Sequence, residues 1–583
     1  MCLACNPAVT AILKNAASRR NFLKYMGVAA TSVFAAPVLS GGSGLAAPPT
    51  EGPADIIFKG GTILTVNKDN ARAEAVAIRG NKIIGVGKAD DLQALSGAQT
   101  RIIDLQGRTL TPGLIDPHMH STFVVLDDWI DVSPMATPSF AEVWTQLREG
   151  AAKAKSGDWI RAKNFDPSIT LDARPPTLAE LDELAPNNPF FMIESNGHIA
   201  YANSFAMKLC GVTEDIKDPS GARFVRDANG KLSGRLEESA AQEPFIAKMP
   251  QPTAQEIQKR IRNMFDHAAS VGCTSLHDCS IGMLSGTNDI ALLDAVMAGN
   301  PPVRYRGMLI STLMDEWDKI GIKPGHGNDL FRIGGIKAWA DGSNQAETGY
   351  QRENYLGKNS RGTLNYSLEQ ITDVIQRAHK GGWQVGVHAN GDAAIDTVIE
   401  AYQTVLHGEG ANDLRHRIEH CSVFHPEQME KMVRLGLSPS FLIGHVRWWG
   451  KAFRDRILGP ERAKYYDPCA SALAAGLRIS LHSDWSVTPI EPLRYMQDAV
   501  SRIMHEGGGV FFSDECISAD AALRTVTIDA AWHCHMDDIV GSVEVGKYAD
   551  FAILEQDPTS GVADIGKIKV SETWMAGEQR YSA

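Results

Sequence analysis

Five short segments in fixed order, PGLIDPHMH, GGIKAWADG, VGVHANGD, RIEHC and SLHSDW, constrain this 583-residue chain more than any other feature. Each opens with an apolar, strand-like run and closes in polar residues or glycine. Each also carries a side chain that a divalent metal accepts: His118 and His120, Lys337, His388, His420 and Asp484. Donors at the carboxyl ends of successive strands are what a parallel (β/α)8 barrel provides, because that face holds its active site.

The rest of the chain agrees with such a barrel. Strands are predicted at 113–119, 273–278, 303–310, 331–338, 384–389, 416–421, 438–443 and 478–483. Intervening stretches such as SLEQITDVIQRAHKGG carry apolar residues at helical spacing, open on a serine able to cap the helix and close on glycine. Strand and helix in alternation argue for a parallel sheet, here over residues 111–544. About 150 residues separate the first two predicted strands, too many for one βα unit. An inserted α/β subdomain at 130–255 explains the excess, and at the carboxyl face it would roof the site.

Before the barrel, DIIFKGGTILTV, AVAIRGNKIIGVG and RIIDLQGRTLTP show the period of two of short antiparallel strands, and GKYADFAIL and VSETWMAGEQRY repeat it near the end. Residues 47–110 and 545–583 are therefore expected to form one composite β-sandwich. The expected fold class is α/β: a distorted (β/α)8 TIM barrel, a flanking β-sandwich built from both chain ends, and an inserted subdomain between strands one and two.

Bulk properties narrow the partners. Hydrophobic residues make up 44% and charged residues 22%, as in a soluble globular enzyme. A formal charge of −12, with no lysine or arginine run after the first 25 residues, gives no electrostatic footprint for nucleic acid. A small-molecule substrate is expected, and a homo-oligomer is compatible with the chain. Residues 1–46 read as a twin-arginine signal peptide: Ser18 to Lys24 (SRRNFLK), an alanine-rich stretch from Tyr25 to Leu39, and small residues at Gly44 and Ala46 before cleavage. The stretch is too short and too weakly apolar for a stable membrane span. The export machinery is then a partner, and the destination is periplasmic or secreted. An uncleaved tail is the alternative. Of nine cysteines, Cys2 and Cys5 fall in this segment, and the others form no disulfide or zinc framework by spacing.

The donor set points to a chemistry. His118 and His120 flank one residue on a strand, so both imidazoles face one side and can chelate one ion. His388 and His420 lie on the two predicted strands that follow the one carrying Lys337; neutral imidazole is the commonest protein ligand. Lys337 offers no lone pair while protonated. As a neutral amine it can add CO2, and the resulting carbamate bridges two cations; otherwise it stays charged and pairs with Asp341 or Glu347. Asp484 can touch a metal with one oxygen and exchange a proton through the other, as general base and then general acid. Glu419 and Asp392, adjacent to donors in sequence, are expected to face away from the metal as supporting groups. A divalent ion lowers the pKa of a coordinated water to about 7, so hydroxide becomes available to attack a carbonyl. The reaction class is hydrolysis of an amide or related C–N bond.

PGLIDPHMHS, KAWADGS, VHANGD, RIEHC, HSDWSV and GSVEVGKYADFAIL resemble the amidohydrolase superfamily, and within it the YtcJ-like, amidohydrolase family 3 branch that includes N-substituted formamide deformylases. The resemblance runs from about residue 54 to the carboxyl terminus. It implies a distorted (β/α)8 barrel with a β-sandwich, and metals held by His118, His120, Lys337 as a carbamate, His388, His420 and Asp484. Two zinc ions are the expected cofactor, with manganese, cobalt or iron also accepted by these donors. NPFFMIESNGHIAYANS resembles a segment of the same branch in which a histidine reaches the substrate. His198 is thus a candidate hydrogen-bond donor to the carbonyl oxygen, or else a residue that orders its loop. Trp339, Trp448, Trp449 and Trp485 are candidates for an aromatic wall at the mouth. His277 and His482 are read as supporting or core residues. The same site can also serve a lactone, carbamate or other ester bond, and a catalytically silent binding relative is a further alternative.

Overall fold

The computed structural model describes residues 52–220, 222–407, 413–505 and 507–583; the expected signal peptide lies outside them. At its centre eight parallel strands follow the chain: β1 (Leu114–Met119), β2 (Cys273–Ile281), β3 (Arg304–Ile310), β4 (Phe331–Trp339), β5 (Gln384–Ala389), β6 (Arg417–His420), β7 (Ser438–Phe441) and β8 (Ser480–Leu481). Each pairs with the next in order, and β1 is the last strand of the path. Backbone bonds beyond the strand ends nearly close the ring: Asp484 N donates to His118 O (3.1 Å) and His120 N to Trp485 O (3.0 Å). Closure therefore brings the first and last donor segments into direct contact. All eight expected strands and the α/β class are borne out.

Local chemistry explains the helices between strands. The Leu368–Lys380 helix starts at Ser367, whose hydroxyl accepts from the Gln370 amide while the Gln370 side chain returns to the Ser367 amide. Its apolar stripe, Ile371, Ile375 and Ala378, is buried. Strand interiors are buried on both sides, as in β2, where all nine residues are buried.

Both chain ends join one eight-stranded sheet. Phe551–Leu554 pairs antiparallel with Thr109–Pro112, which pairs parallel with Ile56–Leu64. Apolar clusters on the two faces, one with Ile56 and Phe58 and the other with Ile57, follow the alternation of the strand. A buried ion pair of Arg304 on β3 with Asp550 (2.7 Å) ties this sheet to the barrel.

Between β1 and β2 the insertion forms a six-stranded sheet, Arg223–Arg226, Leu232–Glu237, Ile199–Ala202, Phe190–Glu194, Ile160–Phe165 and Ile130–Asp131 in spatial order. It has its own core around Val143, Leu147, Phe165, Phe190 and Tyr201. Capping boxes start its helices at Ser139 and Thr177. Among the described residues, no helix is long and apolar enough to cross a membrane.

Candidate metal centre

His118 and His120 stand at the end of β1 and its continuation, both fully buried. His118 Nδ1–H donates to Glu419 Oε2 at 2.6 Å. That bond leaves the lone pair on Nε2, which lies 3.3 Å from Asp484 Oδ1 and 3.3 Å from Lys337 Nζ. Burial first, and then the Lys337 charge, hold the His118 pKa well below the usual imidazole range. The ring is therefore neutral, the form that binds a metal. His120 Nε2 lies 2.8 Å from the same Asp484 oxygen. Ligand atoms of His118, His120 and Asp484 all lie within 4.8 Å of one another.

The other two histidines adjoin this group. The His420 ring centroid is 4.9 Å from that of His118 and 4.7 Å from that of His388. His388 donates Nε2–H to the Gly342 carbonyl (2.8 Å), so Nδ1 carries its lone pair. Asp341 frames this corner by accepting from the amides of Asn390 (3.0 Å), Gly391 (2.9 Å) and Tyr350 (2.8 Å). The structure thus gathers His118, His120, Lys337, His388, His420 and Asp484 into one buried cluster.

Lys337 does not pair as its charged alternative required. Asp341 is engaged by backbone amides and by His388 Nε2 at 3.4 Å, and Glu347 faces Lys358 at 3.7 Å. Among the described residues no carboxylate lies within 4 Å of Lys337 Nζ, although the residue is fully buried. An ammonium in that position carries a desolvation penalty of several kcal/mol without a close counter-ion. The donor set fits divalent cations: buried neutral imidazoles, a carboxylate, and an amine placed among them.

Glu419 has the supporting role expected of it, but not the expected orientation. Simple alternation turns Glu419 away once His420 faces the site, yet both face it. His420 adopts a left-handed backbone, φ 67°, which swings its ring back to the side already occupied by Glu419. Gly386 makes the space, since a Cβ there would lie 2.7 Å from Glu419 Oε1. Burial raises the Glu419 pKa, but Arg417 (2.8 Å) and Lys337 more than offset it and hold the carboxyl below its ordinary range. Glu419 is thus an anion that fixes the His118 tautomer. A second group of potential ligands, His118, Cys279 and Glu419, adjoins the first.

His482 was read as a supporting residue, and its contacts are of that kind. It stacks on His118 (centroids 4.6 Å apart, planes at 24°), with Nδ1 2.8 Å from Ser440 Oγ and Nε2 3.3 Å from His420 Nδ1. Asp116, buried at the root of β1, accepts from Ser483 Oγ (2.5 Å) and Tyr495 Oη (3.0 Å) and pins β1 to the Asp484 segment. Burial raises its pKa to about 6. The PGLIDP motif contained Asp116, but its partners are more than 360 residues away in sequence.

His198 lies apart. Its Nδ1 is 3.0 Å from Glu238 Oε2, and it lines a roof cavity with Ala346 and Thr348 that none of the six donors lines. Asp392 is also apart, held by His425 Nε2 at 3.2 Å. Trp449 and Trp485 line a separate cavity of about 330 Å3 between the roof and the barrel loops. Trp448 instead packs on His505 (4.5 Å), and Trp339 is buried beside Lys337 (6.0 Å). The seven described cysteines are free thiols.

Comparison with known proteins agrees with this geometry. The sequence profile of the amidohydrolase family matches residues 101–581. N-substituted formamide deformylase from Arthrobacter pascens is 30% identical over 543 residues, covering 90% of this chain and 98% of that protein. The putative amidohydrolase YtcJ of Bacillus subtilis (strain 168) is 26% identical over 539 residues, with 90% and 99% covered. In fold, an uncharacterized metal-dependent hydrolase from Pyrococcus horikoshii OT3 superposes with a TM-score of 0.70 at 23% identity, covering 88% of this chain and 99% of that one. The chain belongs to the amidohydrolase family and is a metal-dependent hydrolase of carbon–nitrogen bonds.

Proposed function

We propose that this enzyme hydrolyses the amide, N-acyl or N-formyl bond of a small molecule at a centre of two divalent ions, zinc first among the candidates. One observation carries the reading: neutral His118 presents Nε2 within 3.3 Å of both the Asp484 carboxylate and the Lys337 amine in a fully buried site. His118, His120 and Asp484 would hold one ion, His388 and His420 a second, and Lys337 would join them. For that, the neutral Lys337 amine adds to the carbon of CO2 and sheds one proton, leaving a carbamate with two donor oxygens. The change replaces a buried cation lacking a close carboxylate with an anion between cations. Bound divalent ions supply Lewis acidity and lower the pKa of water to about 7.

The remaining steps belong to the protein. Asp484 uses one oxygen toward His118 and His120, and the other takes a proton from the attacking water. It then passes that proton to the departing nitrogen, so that amide and water yield acid and amine. Glu419 keeps His118 in the tautomer that offers Nε2. His198, hydrogen-bonded to Glu238 on the roof, is proposed to meet the substrate from above rather than to join the donor cluster. Export by the twin-arginine route is proposed from Ser18 to Lys24.

Metal analysis of the purified protein, combined with turnover of N-formyl, N-acyl and ester panels, tests the reading. Near two ions per chain with amide turnover are expected. A protein that takes up no divalent ion and turns over no amide after reconstitution overturns it. A carbonyl carbon signal from 13C-labelled CO2 that vanishes in Lys337→Met reports the carbamate directly. Fractionation of cells with and without Arg19→Lys and Arg20→Lys tests export.

A further inference from the structure

The cavity lined by Trp449 and Trp485 contains an ammonium that nothing in the metal reading uses. Its barrel wall is Trp485 to Pro489, which continues directly from Asp484, together with Trp449 from the Gly444–Ala452 helix after β7 and Gln345 from the loop after β4. Its roof wall includes Met135, Lys163, Asn164 and Ser195 from the insertion. Lys163 is only 9% exposed. Among the described residues its ammonium makes no hydrogen bond and no ion pair within 4 Å.

The backbone directs this side chain into the cavity. Pairing of Ile160–Phe165 with Phe190–Glu194 runs in register to Ala162 and then shifts before Phe165, a bulge at Lys163 and Asn164. Asn164 has a left-handed backbone at φ 66°. Regular alternation would send two consecutive side chains to opposite faces, whereas here both line one cavity. Three carboxyls lie near without pairing with Lys163, the first being buried Asp166, which accepts from the lining residues Ser195 Oγ (2.6 Å) and Trp449 Nε1 (3.2 Å). Asp131, on the adjacent strand, also lines the cavity, and its Oδ1 accepts from the Ser133 amide at 2.9 Å. Asp127 feels the Lys163 charge, but burial dominates and raises its pKa to about 6.

We infer that Lys163 receives a carboxylate of the substrate, so that the preferred substrate is an amide bearing a carboxylate on one side and an apolar group packed against Met135, Trp449 and Trp485. An enclosed cation lacking a close counter-ion favours an anionic ligand group, because a charge-assisted hydrogen bond in a desolvated site is stronger than a neutral one. The flanking aromatic and methionine surface supplies apolar contact, the His267 imidazole also lines the cavity, and Lys163 is the one lysine or arginine among the lining residues, which matches a singly charged acid. The assignment of the cavity as the amide subsite rests on the hydrolase reading above; the role of Lys163 as an anion receptor is testable without it.

The test uses the full, metal-loaded protein and a matched pair of amides, N-acetylphenylalanine (both enantiomers) and N-acetylphenethylamine, with wild type, Lys163→Met and Lys163→Arg. Binding of 3-phenylpropionate and of 3-phenylpropanol is measured by calorimetry in parallel. Wild type should prefer the acid amide. Lys163→Met should lower kcat/KM for the acid by about 30-fold, mainly through KM, and change the neutral amide by less than about threefold. Lys163→Arg should recover part of the loss. The affinity for 3-phenylpropionate should fall about as far, with 3-phenylpropanol unaffected. Equal turnover of both amides, or equal effects of Lys163→Met on both, overturns the inference. If no amide is turned over, the hydrolase reading fails, and calorimetry still decides: 3-phenylpropionate binding that ignores Lys163→Met overturns the anion site.

Discussion

The barrel mouth and the inserted roof solve different problems with different kinds of residue. At the mouth the candidate donors are buried, and several are held by neighbours: Glu419 fixes His118, the Gly342 carbonyl orients His388, and Arg417 keeps Glu419 charged. On the roof, Lys163 and Asn164 project from a bulge into a cavity, and Lys163 has no close counter-ion among the described residues. The contrast teaches where each task can reside. Chemistry needs pre-organised donors on rigid strand ends, whereas selectivity can be altered in an insertion without disturbing them.

The sharpest way to break the comparison is to remove a mouth residue and find activity intact. Asp484→Asn should reduce kcat by about 1,000-fold, the scale of a lost general acid and base, with neutral and acidic amides affected alike. A selective loss for one substrate class would move Asp484 from chemistry to recognition. Next in size, Glu419→Gln should weaken metal retention by about 10- to 100-fold in a chelator competition while circular dichroism stays unchanged. Retention equal to wild type would mean that the His118 tautomer does not depend on Glu419.

How much of this was legible in the sequence follows from the same residues. The eight strands, and the six candidate side chains that cluster at their ends, were readable because each depends on a few adjacent residues: an apolar run, then a polar group able to bind a metal. The supporting role of Glu419 was legible, but not its orientation, because alternation, a local rule, was overruled by the left-handed backbone of His420. Asp116 and His482 were present in quoted motifs, but their roles depend on Ser483, Tyr495 and Ser440, which only barrel closure brings near. Lys163 gave no signal, since a single lysine on a strand is ordinary until the bulge and the cavity are seen.

Stability against pH should separate the two regions further. Asp498, on the barrel helix Pro492–Ser501, is fully buried, and burial pushes its pKa to about 8 despite Arg447 and Arg494. The folded chain keeps a proton there that the unfolded chain releases near pH 4, so stability falls as pH rises from about 4 to about 8 and levels beyond. Asp498→Asn should therefore gain on wild type across that interval, by up to about 5 kcal/mol at pH 8, in denaturant unfolding followed at several pH values. A gain that does not grow with pH would place a charged Asp498 in the fold. The smallest effect belongs to the roof. A hydrogen bond from Arg174 to Glu180 lowers the Glu180 carboxyl to about 2, so its contribution is complete above about pH 4.5 and is lost as pH falls toward 2. This exposed pair should shift the acid unfolding midpoint only slightly, with Glu180→Gln flattening that limb, and a large shift would make the roof the weak point of the fold.

The sequence by itself determined that strands alternate with helices, that both ends are β-rich, and that donors recur at strand ends, because periodicity and side-chain chemistry are local properties. Tertiary structure alone decided which nitrogen of His118 faces the site, why Glu419 and His420 share a side, and that Lys163 looks into a cavity. Those outcomes depend on the sign of φ at single residues, on strand register and on ring closure across hundreds of positions, none of which a linear pattern encodes.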